Sequence, residues 1–327
     1  MSHKIDVIIP AFHAAGFIKD CLDSLEAQTY ANWRALVILN QDGFDATMGI
    51  LGPYIGKDNR ISAIHLQRGD LSSAVNTGIS LCSAPYIVML DADDVMAPNY
   101  LEIMMRGIQQ TNADMAMCEI AHFQNTHDFL NTCETGSSLE ATVIAGKEKW
   151  NFMTDPKNKE TAVVRMNKLY RRSVLKNIWY PSGHMHEEEY CAYDVYKAAE
   201  RVCYIPHPLY GYRTNNAGSI TSVPTPSKLR DACMAYRHVI EHAVIDKNYV
   251  VVVYMLKRLV WDVCFRYVAF DSRQKDTSET KESFLIARGT LAQHKRFLSV
   301  LDVAKLSYAI RHPETAVSHM QKAKSRQ

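Results

Sequence analysis

Short apolar runs alternate with segments whose apolar residues recur at helical spacing through the first half of the chain. Apolar runs predict buried strands over residues 6–10, 33–39, 61–65 and 86–90. Apolar residues at helical spacing predict helices over 17–25 and 71–81, followed by a helix over 99–110 and a strand over 115–120. Strands that alternate with helices predict βαβ units and a mainly parallel sheet.

The pattern changes in the second half. Residues 126–138 are polar and poorly periodic, which is typical of a hairpin or a mobile loop. Two short strands are predicted over 202–205 and 209–213, on either side of Pro206-His207-Pro208. From Pro226 onward, long periodic segments predict helices over 228–245, 249–270, 281–292 and 298–310. We therefore expect an α/β domain over 1–223 and a helical region over 224–327.

Composition excludes several classes of protein. The 327 residues carry a formal net charge of +2, which gives no indication of nucleic-acid binding. No uncharged apolar stretch approaches the roughly 20 residues of a membrane span. The start of the chain lacks a signal-peptide pattern, and none of the eight cysteines forms a CxxC pair, so we expect reduced thiols in a cytoplasmic protein.

Two features of the helical region bear on partners. Its end is rich in lysine and arginine, which is typical of a solvated basic face and also allows peripheral contact with the cytoplasmic face of an inner membrane. An amphipathic face at Val252, Leu256, Leu259 and Val263 predicts intramolecular packing or a homo-oligomer contact.

Three carboxylates follow the strand predicted over 86–90, at Asp91, Asp93 and Asp94. Ligands of open α/β sheets bind at the carboxyl ends of strands. Like charges this close repel one another, so a hard cation such as Mg²⁺ or Mn²⁺ is their natural partner. The alternative is a solvated turn with an aspartate helix cap.

A second acidic stretch, Glu187-Glu188-Glu189, follows His184 and His186 at a predicted helix start. Acids in a first turn complement the helix dipole without any further role. The histidines alone are a weak metal signal, because no third ligand stands at a suitable spacing.

Several ordered motifs make the chain similar to the family 2 glycosyltransferases of the GT-A fold, of the bacterial cell-surface polysaccharide type. The resemblance covers about residues 5–222 and leaves out the helical remainder. Its motifs are VIIPAFH at 7–13, CLDSL at 21–25, QTY at 28–30, LSSAVNTGI at 71–79, LDADD at 90–94, NKLY at 167–170, HEE at 186–188, YGYR at 210–213 and SIT at 219–221.

This resemblance implies a Rossmann-like mixed, mainly parallel sheet flanked by helices, and it assigns site roles. Asp91 would hold the nucleotide ribose, Asp93 would ligate Mn²⁺ or Mg²⁺, and Asp94 would orient the donor sugar. Glu188 would be the general base, with Glu187 and Glu189 as alternatives. The family pattern adds to the nucleotide-sugar site a further set of residues, namely Pro10, Ala11, Gln41, Asp42, Asn76, Ala92 and Arg213.

Three positions depart from the family pattern. Gln41 stands where an acid commonly recognises the base, Val75 replaces an arginine, and Glu188 is one methylene longer than the usual aspartate. A small displacement of a catalytic group can cost roughly a hundredfold in rate. The departures therefore leave room for an altered donor or a degenerate site.

The resemblance implies an inverting, metal-dependent glycosyltransferase. Such an enzyme moves a sugar, in this case from a UDP-linked donor, to a glycan or lipid-linked glycan acceptor in cell-surface polysaccharide synthesis. The main alternative is a partner subunit that keeps the GT-A fold and binds without turnover. A nucleotidyltransferase is disfavoured because residues 10–16 lack the lysine and arginine of a phosphate loop.

Overall fold

The computed structural model describes residues 3–40, 46–67, 69–132, 140–216 and 223–324. The chain divides into two compact units. Met1–Gly183 and Asp194–Ala217 form an α/β unit, and His184–Tyr193 and Gly218–Gln327 form a helical unit. This division differs from a single boundary at residue 223, because the acidic stretch at 187–189 groups with the helices.

A mixed nine-stranded sheet forms the centre of the α/β unit. Its strands are β1 (Ile5–Ala11), β2 (Trp33–Asn40), β3 (Ile61–Leu66), β4 (Tyr86–Met89), β5 (Val95–Met96), β6 (Met115–Phe123), β7 (Thr142–Ala145), β8 (Lys168–Arg171) and β9 (Arg201–Arg213). The strand order is β3-β2-β1-β4-β8-β6-β9-β5, with β7 paired to β9. The longest pairings, β6 with β9 and β1 with β2, are parallel, which confirms the predicted fold class.

Helices connect and flank these strands. They are α1 (Ile18–Glu26), α2 (Ala46–Lys57), α3 (Leu71–Leu81), α4 (Tyr100–Thr111), α5 (Thr126–Thr132), α6 (Lys147–Thr154), α7 (Lys159–Val163) and α8 (Glu187–Ala198), with 3-10 turns at Pro156–Asn158 and Arg172–Leu175. Asp70 caps α3 by accepting the backbone N–H of Ser73 at 2.8 Å, a common way of satisfying a free helical donor. The predicted helices over 17–25, 71–81 and 99–110 are confirmed.

Two local predictions were wrong. A helix, α5, occupies 126–132 where a hairpin or loop was expected, and residues 133–139 lie outside the described part of the chain. In addition, β9 is one strand and not two. The register of β9 against β6 shifts between Cys118 and Ile120, so a bulge accommodates the Pro206-His207-Pro208 segment. Prolines lack the N–H that a strand needs, and a bulge lets the strand continue past them.

A buried carboxylate fixes the approach to β4. Asp6 in β1 accepts the backbone N–H groups of Ser83 and Ala84 at 2.7 and 2.9 Å. Its other oxygen accepts from Arg34, and the two side chains form a bidentate pair. The chain therefore enters β4 in a fixed register, and the acidic loop (residues 91–94) follows shortly after that strand.

The helical unit contains α9 (Pro226–Ile245), α10 (Tyr249–Ala269), α11 (Ser272–Lys275), α12 (Ser278–His294), α13 (Val300–Arg311) and α14 (Pro313–Lys324), with a 3-10 turn at Lys295–Phe297. The helices predicted from sequence are present, and α14 adds one more. Helix α10 packs against α9, α12, α13 and α14, which explains why Val252, Leu256, Leu259 and Val263 are buried. That face therefore packs within the chain and is not open to an oligomer contact. In the described residues, no helix combines the length and the apolar character needed to cross a membrane.

The seven described cysteines are buried, free thiols. Burial raises the pKa of Cys118 and of Cys264 to about 12. They act as small core residues, as the sequence predicted.

His294 is a buried, unpaired imidazole at the end of α12. It is 5% exposed, and neither ring nitrogen has a hydrogen-bond partner among the described residues. Burial lowers its pKa, so the folded chain resists the proton that the unfolded chain accepts below about pH 6.5. The free energy of unfolding therefore decreases as the pH falls below that value, because protonation favours the unfolded chain.

We expect His294→Phe to raise the free energy of unfolding by about 1 to 3 kcal/mol, the usual cost of an unsatisfied buried polar group. The gain should grow between pH 7 and pH 5.5, as measured by urea unfolding at each pH. Exposed His312 is the matched control, and His312→Gln should leave the curve unchanged. A loss of stability in His294→Phe at both pH values would show that the imidazole has a favourable role.

Candidate active site

The carboxyl ends of three parallel strands meet at one edge of the sheet. Strand β1 pairs in parallel with β2 on one side and with β4 on the other. The backbone N–H of Leu90 donates to the carbonyl of Ile8 at 2.9 Å, so the chain leaves β4 still bonded to β1. The loop 91–94 therefore starts at the sheet edge that the strand pattern predicted.

Asp91 faces a buried arginine. Its Oδ1 accepts from Nη2 of Arg165 at 2.6 Å, and the Arg165 side chain is 3% exposed. The Tyr170 hydroxyl donates to the Arg165 carbonyl at 2.8 Å, which holds this segment in place. The sequence prediction missed Arg165. A signal existed, because a lone charge within the apolar run 161–166 needs a partner.

Asp93 forms no ion pair among the described residues, and Arg213 is the nearby positive charge that favours its ionised form. Its Oδ2 accepts from the amide of Asn216 at 2.8 Å. Burial and the nearby Asp91 carboxylate raise the pKa of Asp93, because both disfavour its charged form. A divalent cation would offset that charge, and carboxylate oxygens are ligands that Mg²⁺ and Mn²⁺ prefer. The residues present therefore fit the predicted metal.

Asp94 faces inward, toward β9. The Tyr210 hydroxyl donates to its Oδ2 at 2.8 Å, and the backbone N–H of Arg213 donates to its Oδ1 at 2.9 Å. Burial, followed by the charges of Asp91 and Asp93, raises the pKa of Asp94 well above its usual range. These contacts join the acidic loop to β9, and a role of Asp94 toward the donor sugar stays a prediction.

The guanidinium of Arg213 is engaged within the α/β unit. Its Nε donates to the carbonyl of Asp93 at 2.8 Å, and its Nη2 donates to Asp20 at 2.9 Å and to Thr126 at 3.0 Å. Arg213 thus holds the backbone of the acidic loop. Contact between Arg213 and a diphosphate stays a prediction.

Helix α3 fixes the segment 180–183. Asn76 donates to the carbonyl of Tyr180 at 2.7 Å and accepts its N–H at 3.0 Å. Asp70 accepts the N–H of Gly183 at 2.5 Å. The motif residue Asn76 therefore has a structural partner, and its donor contact stays a prediction. Val75, at the family's arginine position, is fully buried.

The remaining predicted donor-binding residues are placed as follows. Pro10 and Ala11 end β1, Ala92 lies in the acidic loop, and all three are buried. Gln41 and Asp42 lie outside the described residues, as does the motif at 219–221.

The three glutamates open α8, and the part of this helix up to Tyr193 belongs to the helical unit. Glu187 is 8% exposed, and Glu189 is bound by both terminal nitrogens of Arg258. A carboxylate in such a pair is held as an acceptor, which disfavours Glu189 as a base. Glu187 and Glu188 also interact with other residues, and the assignment of the base to Glu188, with Glu187 as the alternative, stays a prediction.

An α/β sheet with a carboxylate-rich loop after its fourth strand is the architecture of GT-A glycosyltransferases. The chain belongs to glycosyl transferase family 2, whose model matches residues 6–179. The glycosyltransferase GlyA of Streptococcus pneumoniae is 29% identical over 224 residues, which are 68% of this chain and 32% of GlyA. The chain thus spans about a third of that relative.

Two solved structures share the fold. S. aureus TarS 1-349, solved with UDP-GlcNAc, has a TM-score of 0.69 at 16% identity. The alignment covers 96% of this chain and 88% of TarS 1-349. The mannosyltransferase PcManGT of Pyrobaculum calidifontis, solved with GDP-Man and Mn²⁺, has a TM-score of 0.52 at 13% identity over 98% of this chain and 85% of PcManGT.

Proposed function

We propose that this chain is an inverting, metal-dependent glycosyltransferase that moves a sugar from a UDP-linked donor to a glycan or lipid-linked glycan acceptor. The observation that carries the proposal is Asp93, a partly buried carboxylate at the carboxyl edge of the sheet, with no ion pair among the described residues. A cell-surface polysaccharide is the proposed product, consistent with the family motifs and with the bacterial relative.

The charges around the acidic loop support a cation at Asp93. Arg165 forms an ion pair with Asp91. Asp94 accepts hydrogen bonds from the Tyr210 hydroxyl and from the backbone N–H of Arg213. Asp93 is left with one amide partner, Asn216. A divalent ion held by Asp93 would supply charge stabilisation for the departing diphosphate. The TarS structure with UDP-GlcNAc makes UDP-sugars the first donors to test.

The proposed reaction is one in-line displacement. The oxygen of the acceptor hydroxyl forms a bond to the anomeric carbon, and the bond from that carbon to the diphosphate oxygen breaks. The nucleoside diphosphate leaves with the electron pair, and Glu188 takes the proton of the hydroxyl. Attack opposite the leaving group inverts the anomeric centre.

A donor panel tests this proposal. The protein is incubated with Mn²⁺ and each of several UDP- and GDP-sugars, and release of free nucleotide is measured. We expect slow hydrolysis of at least one UDP-sugar, which EDTA stops. In calorimetry, UDP should bind in the presence of Mn²⁺ and much more weakly without it.

Two results would contradict the proposal in different ways. UDP binding without hydrolysis or transfer would favour the partner-subunit alternative. Hydrolysis restricted to GDP-sugars would keep the enzyme class and change the donor, which would agree with the departure from the family pattern at Gln41.

A further inference from the structure

The helical unit holds the start of α8 through a shielded ion pair. Arg258 of α10 donates from both terminal nitrogens to the carboxylate of Glu189, and the Nη1–Oε2 distance is 2.9 Å. The Arg258 side chain is 8% exposed and that of Glu189 is 12% exposed. A bidentate ion pair restricts the relative orientation of the two side chains as well as the distance between them.

Arg258 is itself restrained by α9. Its guanidinium carbon lies 4.6 Å from the ring centroid of Tyr236, a cation-π distance. The Tyr236 hydroxyl donates to Asp262 at 2.6 Å, which fixes the ring. The guanidinium therefore has little freedom to move away from Glu189.

The chain before α8 is held as well. The backbone N–H of Met185 donates to Asp231 at 3.0 Å, and Arg230 donates to the other oxygen of Asp231 at 3.0 Å. His186 then adopts φ +61°, a left-handed conformation that non-glycine residues rarely take. Such strain persists where surrounding contacts determine the backbone, and it is often found at functional sites.

We propose that Arg258 is a positioning residue that, through Glu189, orients the first turn of α8 and so aims the carboxylate of Glu188. This inference rests on the proposed function, in which Glu188 is the base. It gives the helical unit a part in the reaction, although Arg258 lies beyond the residues that the family model matches. Arg258 touches no reacting atom in this account and acts through the helix alone.

A structural role and a positioning role give different kinetics. If the ion pair only stabilised the fold, its loss would lower the amount of folded enzyme and leave kcat per folded molecule unchanged. If the pair aims Glu188, its loss lowers kcat while donor binding is retained. Misplacing a catalytic group by about 1 Å can cost roughly a hundredfold.

The test uses the full chain with Mn²⁺ and the UDP-sugar that the donor panel identifies. We expect Arg258→Met and Glu189→Gln each to lower kcat for hydrolysis by about tenfold to a hundredfold. The KM for the donor and the Kd for UDP should change by less than about twofold, because these variants leave the donor-binding contacts in place. The double variant should lose little more than either single variant, because both remove the same interaction.

Two further variants sharpen the result. Arg258→Lys keeps the positive charge but cannot form the bidentate pair, so its kcat should lie between those of Arg258→Met and the wild type. Lys257 is the matched control, because it neighbours Arg258 on α10 and pairs with Asp302 at 3.0 Å. Lys257→Met should leave kcat and KM unchanged.

Normal kcat per folded molecule in Arg258→Met, together with an inactive Glu188→Gln, would overturn the positioning role and leave the proposed function intact. If Arg258→Met does not fold, a wild-type kcat in Glu189→Gln would likewise overturn the positioning role. An active Glu188→Gln would overturn both assignments, and so would a wild-type protein that hydrolyses no donor.

Discussion

Replacing Asp93 with asparagine should abolish divalent-ion binding and lower sugar transfer by about a thousandfold, the scale of losing one strong electrostatic stabiliser of a transition state. Asparagine keeps the size of the side chain and an oxygen that can accept from Asn216. The change therefore removes charge with little loss of packing. Activity is measured as nucleotide release, and ion binding is measured as the shift in melting temperature when Mn²⁺ and UDP are added.

The same variant should be more stable than wild type when no ion is present. The pKa of Asp93 is raised in the folded chain, so its stabilising contribution is present at low pH and is lost as the pH rises through the folded pKa. At pH 7 an ionised Asp93 is therefore a cost to folding, and asparagine removes it. Retained transfer, or an unchanged Mn²⁺-dependent melting shift, would move the metal to another carboxylate.

Replacing Glu188 with glutamine should lower kcat by about a hundredfold to ten-thousandfold, the range for loss of a general base. Glutamine cannot accept the proton of the attacking hydroxyl. Donor binding should remain, because this role concerns the acceptor side of the reaction. Calorimetry with UDP and Mn²⁺, beside the hydrolysis assay, separates the two effects.

Two neighbouring substitutions make this prediction specific. Glu188→Asp restores the residue that is usual in the family and keeps a carboxylate, so it should be more active than Glu188→Gln. Glu187→Gln should leave kcat within a few fold of wild type. If Glu187→Gln were the inactive variant and Glu188→Gln the active one, the base would be Glu187.

The strands that carry the site were predictable because their signal is local. The apolar runs at 7–9, 35–39 and 86–90, which form most of β1, β2 and β4, are continuous, and each is followed by a proline or a polar residue. The continuity of β9 was not predictable. Its prolines are strong local stop signals, and the pairing with β6 that outweighs them is a contact between distant parts of the chain.

The candidate site shows the same limit. Residue types and spacing singled out Asp91, Asp93 and the glutamates as candidates, because a motif records which groups are present. Arg165 was missed because its partner Asp91 lies 74 positions away in sequence. The contact of Asn76 with Tyr180 spans 104 positions. The sequence could therefore suggest a ligand role for the Asn76 amide, but it could not show that Tyr180 is its partner within the fold.

The buried thiols have a practical consequence for labelling experiments. The thiolate is the species that attacks maleimides and iodoacetamides, and a thiol with a pKa of about 12 supplies almost none at neutral pH. All seven described cysteines are buried, so they should stay unmodified while the chain is folded. With Cys133, which lies outside the described residues, replaced by serine, a cysteine introduced on the surface could carry a fluorophore while those seven are left in place. Delayed reaction of the native thiols would then report how often the folded chain opens.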